Sequence, residues 1–236
     1  KGTARAQKLL VRKYLEERNR TIMLFVDISS SSFYSSSELL RYEMMAQVAG
    51  VIALVGNYGK DHVGAVFFAD TVEHVIPPGR GNEHVHAILK CLFEYPISSQ
   101  GNIKKTDLNV PFSYMAANKK KGALMFVISD FIGNSFENSL RVVKSKYEII
   151  AVRCLDKNEN QFPNISMIEL QDCESGQKFN LDTRGSNSQK INQMLERRLK
   201  EQNKIFGKFG VDVLDLKCGD SFIADVVRFF RRRMMY

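Results

Sequence analysis

The chain reads as an α/β domain of the doubly wound, Rossmann-like kind: a mostly parallel central sheet, helices on both faces and an antiparallel hairpin at one edge. Three observations predict it. Short, near-continuously apolar runs recur along the 236 residues at 22–26, 63–68, 123–128, 149–152 and 211–216, the pattern of strands buried on both faces. Segments of helical period fill the intervals, and this alternation is what a parallel sheet with helical crossovers needs. Between residues 63–68 and 72–76 the Ala69-Asp70 link is too short for a crossover and favours a hairpin.

The elements follow in order. The first strand, 22–26, ends at Asp27, and a serine-rich stretch leads into a helix over 38–54. Its apolar positions Leu39, Leu40, Met44, Val48, Val51 and Ile52, with Val55 just beyond, make a wide stripe suited to packing on a sheet, and Ser35 to Ser37 are N-cap candidates. After the edge hairpin, Pro77-Pro78-Gly79-Arg80-Gly81 makes a rigid turn into a helix over 82–93. Helices over 108–118 and 136–144 flank the strand at 123–128. The strand at 149–152 leads to an exposed loop over 155–163, rich in Asn, Asp and Lys. Two short alternating segments, 166–170 and 177–181, joined through Asp172, Glu174, Ser175 and Gly176, read as a second hairpin. A helix over 188–206, the strand at 211–216 and a helix over 221–232 complete the chain.

Composition narrows the class. A hydrophobic content of 44% supplies a core, no stretch approaches the ~20 apolar residues of a membrane span, and the basic start has no apolar signal-peptide core. Cys91, Cys154, Cys173 and Cys218 are scattered without a C-x-x-C pair, which fits buried, reduced thiols and a cytoplasmic setting better than zinc or disulfides. The net charge of +8 is concentrated in 1–20, Lys104-Lys105, 119–121, Arg197-Arg198 and 231–233, where helices begin or end. Solvated helix faces explain it better than a nucleic-acid groove. The tail at 228–233, with Phe229, Phe230, Met234 and Met235 among its arginines, also suits a helix lying on an anionic membrane, although core packing explains the phenylalanines equally.

The chemistry concentrates where the first strand ends. Asp27-x-Ser29-x-Ser31 places three oxygen-bearing side chains at alternate positions, which in extended backbone point one way and can converge on a small hard cation. Open α/β sheets bind their ligands at this carboxyl edge. Asp130 follows the strand at 123–128 to the same edge, and Thr106 lies on the loop before the helix at 108–118. An oxygen-only set of Asp27, Ser29, Ser31, Thr106 and Asp130 suits Mg²⁺, with Mn²⁺ or Ca²⁺ as alternatives, and argues against zinc and copper. Two carboxylates offset a divalent ion but leave it open to a further carboxylate, so the arrangement reads as a metal-ion-dependent adhesion site. Ser30, Asp107 and Phe131, beside the ligands, are expected to meet the partner.

With these pieces in place, the chain resembles a von Willebrand factor A-type domain, and more narrowly the bacterial family called domain of unknown function 58. The resemblance rests on the lead-in Tyr14 to Arg20, the Asp27 triplet, Ile76-Pro77-Pro78, Thr106-Asp107-Leu108 and Val127-Ile128-Ser129-Asp130-Phe131. It also rests on Ile168 to Asp172 with Leu181-Asp182-Thr183, and on the tail Phe229 to Arg233. The order and spacing of these pieces carry it. It implies a single domain over 21–236, preceded in 1–20 by the end of a segment that continues upstream. It further implies a non-enzymatic module acting with a MoxR-type AAA+ ATPase in assembly or maturation of a client complex. Two departures are visible: Phe33 and extra serines replace the usual small residue and methionine after the triplet, and Lys105 stands where glycine usually precedes the threonine.

A Mg²⁺-dependent phosphoryl-transfer enzyme is the competing expectation, since such enzymes also place an Asp after the first strand. Ser29 stands where a dehalogenase-type hydrolase needs its second carboxylate, and the chain has no Gly-Lys-Ser/Thr phosphate loop. His62, His74, His84 and His86 are read as surface or capping residues, because a spacing of two diverges on a helix.

Overall fold

A computed structural model of the chain describes residues 20–35, 40–98, 104–118, 122–156, 167–171, 177–182, 184 and 186–234. Its strands are β1 (Thr21–Asp27), β2 (His62–Phe68), β3 (Val72–Gly79), β4 (Leu124–Ser129), β5 (Glu148–Leu155), β6 (Met167–Gln171), β7 (Lys178–Asp182) and β8 (Asp212–Lys217). The helices are α1 (Arg41–Tyr58), α2 (Asn82–Ser98), α3 (Asn109–Ala117), α4 (Glu137–Lys144), α5 (Ser186–Phe209) and α6 (Ile223–Met234). A six-stranded sheet runs in the order β3-β2-β1-β4-β5-β8, parallel except for the β2–β3 hairpin at its edge. β6 and β7 form a separate antiparallel ribbon. The doubly wound class, the edge hairpin and the second hairpin are as the sequence predicts.

Alternation along β1 explains why both faces are covered. Ile22, Leu24 and Val26 enter one apolar cluster with α1, α2 and α6, and Met23 and Phe25 enter the other with α3, α4 and α5. Because β1 lies in the middle of the sheet, every residue after Thr21 is buried, Asp27 included. Burying that carboxylate costs free energy unless hydrogen bonds compensate it, so the strand end is where the chemistry must be sought.

Local differences from the sequence reading have physical causes. α1 begins at Arg41 rather than 38, capped not by a serine but by Glu43, whose carboxylate accepts the Leu40 N–H at 2.9 Å. The Ser35 hydroxyl instead donates to Asp156 at 3.0 Å; Ser36 and Ser37 lie outside the described residues, as do Cys173, the turn at 172–176 and most of the loop at 155–163. His84 is tied to the edge hairpin, its Nε2 being 2.7 Å from the Val63 carbonyl oxygen. Gly79 is required beneath that ring, because a Cβ there would lie 2.6 Å from it. In the basic tail Phe229 is buried and Phe230 packs against Phe126, so both are committed to the core, with Arg231 and Arg232 exposed. Among the described residues no helix is long and apolar enough to cross a membrane.

Candidate functional site

Three loops meet at the carboxyl edge, and backbone register explains why. β1 pairs with β2 on one side and β4 on the other, with Val26 opposite Ile128, so Asp27 and Ser129 fall side by side. The Ser129 hydroxyl donates to Asp27 Oδ2 at 2.6 Å, and the Ser29 N–H donates to Oδ1 at 2.9 Å. Ser129 Oγ in turn accepts the Phe131 N–H at 3.0 Å, and Asp130 Oδ1 accepts the Ile132 N–H at 2.8 Å. Both carboxylate chains thus serve as turn-makers for their own loops.

The loops are also fastened to one another. Ser30 N–H donates to the Lys104 carbonyl at 2.9 Å and Lys104 N–H to the Ser30 hydroxyl at 2.8 Å, which ties the serine loop to the segment carrying Thr106. That segment is tied onward: Asp107 N–H donates to Ala69 O at 3.1 Å, and Asp107 Oδ1 accepts from Asn134 Nδ2 at 2.7 Å. The Asn109 N–H adds a second bond to the same oxygen at 2.8 Å, and Asn109 Nδ2 a third at 3.1 Å. Burial pulls the Asp107 carboxyl upward, but the bonds from Asn134 and Asn109 outweigh it and hold the group below its ordinary range.

Among the proposed ligands, Asp27, Ser29 and Asp130 are buried, Ser31 is half-buried, and the Thr106 hydroxyl oxygen is buried. Ser29 Oγ and Ser31 Oγ lie 3.1 Å apart. Adjacent oxygens of an octahedral Mg²⁺, each about 2.0–2.1 Å from the ion, are about 3 Å apart, so this pair has the spacing of two neighbouring ligands. Among the described residues no group of three or more His, Cys, Asp and Glu side chains gathers, so the set is one of two carboxylates and three hydroxyls, unlike a zinc centre. The donor chemistry fits a hard cation.

Of the residues expected to meet a partner, Ser30 and Asp107 are half-buried and engaged as loop ties. The expectation for Phe131 is corrected. It is 3% exposed, its backbone has φ 55°, and its ring packs edge-on to Phe206 at 5.2 Å and against Phe136 at 5.9 Å. The left-handed turn after Asp130 folds the ring down into the core, so it anchors the loop from below. Lys105 is exposed, which takes the charge of that departure away from the buried oxygens, and Lys104 pairs with Glu73 at 2.7 Å. Phe33, the other departure, stacks on Tyr42 with centroids 4.9 Å apart.

Sequence reasoning missed three participants. Arg41, at the first turn of α1 and 2% exposed, donates through Nη1 to Asp130 Oδ2 and lies 3.5 Å from the Ser31 carbonyl oxygen. Its one signal is an arginine four residues after the serine cluster, where an ordinary surface helix would also carry one. Asp156, 2% exposed and directly after β5 at the same edge, escaped because it opens a polar loop. Gln202 of α5 donates to the Phe131 carbonyl at 2.8 Å and accepts from the buried Arg153 at 2.8 Å, a bridge no local pattern marks. Burial pushes the carboxyls of Asp27 and Asp130 above their ordinary range, against the opposing pull of the Arg41 charge on both.

Comparison with known proteins places the chain. It is 25% identical over 234 residues to the uncharacterised protein Mb1516 of Mycobacterium bovis and equally to Rv1480 of Mycobacterium tuberculosis, covering 98% of this chain and 73% of each relative. Among solved structures, BatB of Bacteroides thetaiotaomicron matches with a TM-score of 0.56 at 12% identity, covering 92% of this chain and 98% of that one. An aerotolerance-related membrane protein of Bacteroides fragilis matches with a TM-score of 0.52 at 16% identity, covering 88% of this chain and 96% of that one. At such identities these two likenesses concern the fold alone. The model of the family described as protein of unknown function DUF58 matches residues 1–204, and the chain belongs to that family.

Proposed function

We propose that the carboxyl-edge face is a protein-interaction site of the metal-ion-dependent adhesion type, in which Asp27, Ser29, Ser31, Thr106 and Asp130 hold a divalent cation, Mg²⁺ first, and an Asp or Glu of a partner protein completes its shell. The observation that carries this reading is the 3.1 Å spacing of the Ser29 and Ser31 hydroxyls beside two buried carboxylates. A bound cation would supply an open coordination position for a carboxylate oxygen. The protein's part is to hold the oxygens in place: the loop ties of Ser30, Asp107 and Asn134 fix three segments against one another before any ligand arrives. The partner we propose, on the resemblance set out in the sequence analysis, is a MoxR-type AAA+ ATPase or the client complex it matures, with the cytoplasm as the setting.

A phosphoryl-transfer role is less well supported, because Ser29 stands where a dehalogenase-type hydrolase needs its second carboxylate and the sequence holds no Gly-Lys-Ser/Thr phosphate loop. The test is calorimetric titration of Mg²⁺ and Mn²⁺ into chelator-stripped protein in excess acetyl-Gly-Glu-Gly-amide, beside a Ser29→Ala, Ser31→Ala double variant. The backbone bond from the Ser29 N–H to Asp27 survives in that variant, and circular dichroism checks that it folds. Saturable binding lost in the variant is the expected result; equal binding in both proteins overturns the assignment.

A further inference from the structure

The loaded site carries more positive charge than two carboxylates can offset. Arg41 lies among the proposed ligands, 2% exposed, its guanidinium bonded to Asp130 and 3.5 Å from the Ser31 carbonyl oxygen. A second guanidinium lies on α5: Arg198 has Nε and Nη2 buried with no hydrogen-bond partner among the described residues, and its charge adds a smaller pull on Asp130. The two carboxylates and Arg41 sum to a single negative charge, so a divalent cation turns the site net positive, more so when Arg198 is counted. Charge of that sign, fixed in a region shielded from water, opposes cation entry and favours an anion.

We infer that Arg41, supported by Arg198, makes divalent-cation binding conditional on an acidic ligand, so that metal and partner carboxylate bind as a coupled pair. The inference rests on the metal-site reading above and deepens it. Removing Arg41 restores a site whose two carboxylates alone balance the ion, and the dependence on the acidic ligand then falls. Coupling of this kind is reciprocal: an acidic ligand raises metal affinity by the factor that metal raises ligand affinity. It follows that a pull-down in chelator and one in Mg²⁺ differ for an acidic partner, while the protein alone holds metal weakly.

The experiment is Mg²⁺ titration by calorimetry into wild type, Arg41→Gln and Arg198→Gln, each in excess acetyl-Gly-Glu-Gly-amide or its Gly-Gln-Gly counterpart. In wild type the glutamate peptide is expected to raise Mg²⁺ affinity at least about tenfold over the glutamine peptide, the scale a nearby fixed charge imposes. In Arg41→Gln the affinity without an acidic peptide rises at least about tenfold and the peptide effect shrinks to about twofold or less. Arg198→Gln shifts both quantities the same way by a smaller factor, and it supplies the decisive comparison if circular dichroism shows that Arg41→Gln does not fold. Mg²⁺ binding that is lost in the Ser29, Ser31 double variant yet identical in wild type and both arginine variants overturns the coupling and leaves the metal site standing. Binding in none of them, with either peptide, overturns both.

Discussion

Replacing Gln202 by leucine tests whether the loop carrying Asp130 is held from behind. Gln202 is 7% exposed and serves two groups at once, donating to the Phe131 carbonyl at 2.8 Å and accepting from Arg153 Nη1 at 2.8 Å. Leucine fills nearly the same volume, so no cavity opens, but a buried carbonyl and a buried guanidinium N–H each lose a partner. Each of the two orphaned groups costs about 1–3 kcal/mol, and the added apolar burial returns about 1 kcal/mol, for a net loss of about 1–5 kcal/mol. For a domain of this size that lowers the melting temperature by about 2–20 °C. Asn203→Ala is the internal control, since Asn203 also accepts from Arg153, at 3.0 Å, but is exposed. Its cost is expected to stay within about 0.5 kcal/mol. Urea unfolding followed by circular dichroism reads both, with unchanged slope and a lower midpoint for Gln202→Leu. A Gln202→Leu midpoint indistinguishable from that of Asn203→Ala would refute the bridge.

Further predictions concern the core beneath the site. Phe131→Ala is expected to cost about 3–5 kcal/mol as a buried-aromatic deletion, and Phe131→Gly no more than that, because glycine adopts the φ of 55° freely; melting curves compare the two. Burial pushes the Cys154 thiol well above its ordinary 9.0, reinforced by the nearby Cys218. Above that value the unfolded chain gives up this proton before the folded one does, so stability falls as pH rises from about 9, and a Cys154→Ala variant shows a shallower fall in urea midpoint. The same protonation leaves Cys154 unreactive to iodoacetamide near pH 8 unless the protein unfolds.

The fold was legible because its strands are buried on both faces, and double burial writes itself as unbroken apolar runs; β1, β2, β4 and β5 each show one. The oxygen donors were legible for a related reason: a sheet aligns its strand ends, so Asp27 and Asp130, each following such a run, had to lie near one another. What stayed hidden was everything supplied by helices. Arg41 and Gln202 reach the site across tertiary distance, 89 residues from Asp130 and 71 from Phe131 respectively, and no spacing rule connects them. Phe131 was misplaced because its direction depends on a positive φ, which residue type alone rarely announces for an aromatic. The serine caps failed because Glu43 does their work and Ser35 is drawn off to Asp156.

The ion pair of Arg41 with Asp130 finally separates stability from function. Both side chains are almost fully buried, at 2% and 0% exposure, where the cost of taking charges out of water rivals their mutual attraction. A fold selected only for stability has little reason to keep such a pair, since replacing both partners by apolar groups of similar size is often neutral or stabilising by about 1–4 kcal/mol. Removing one partner alone is different, because the survivor stays buried and uncompensated, at a cost of about 3–5 kcal/mol. The comparison is therefore Arg41→Met, Asp130→Leu and the double variant, each followed by urea unfolding and by Mg²⁺ calorimetry. The single changes are expected to destabilise strongly, and the double variant to recover most of the wild-type midpoint while losing metal binding. A double variant as unstable as the worse single would show that the pair is kept for the architecture of the edge. A double variant that folds well but no longer takes up metal would show that the domain carries its buried charges at this edge for what they bind.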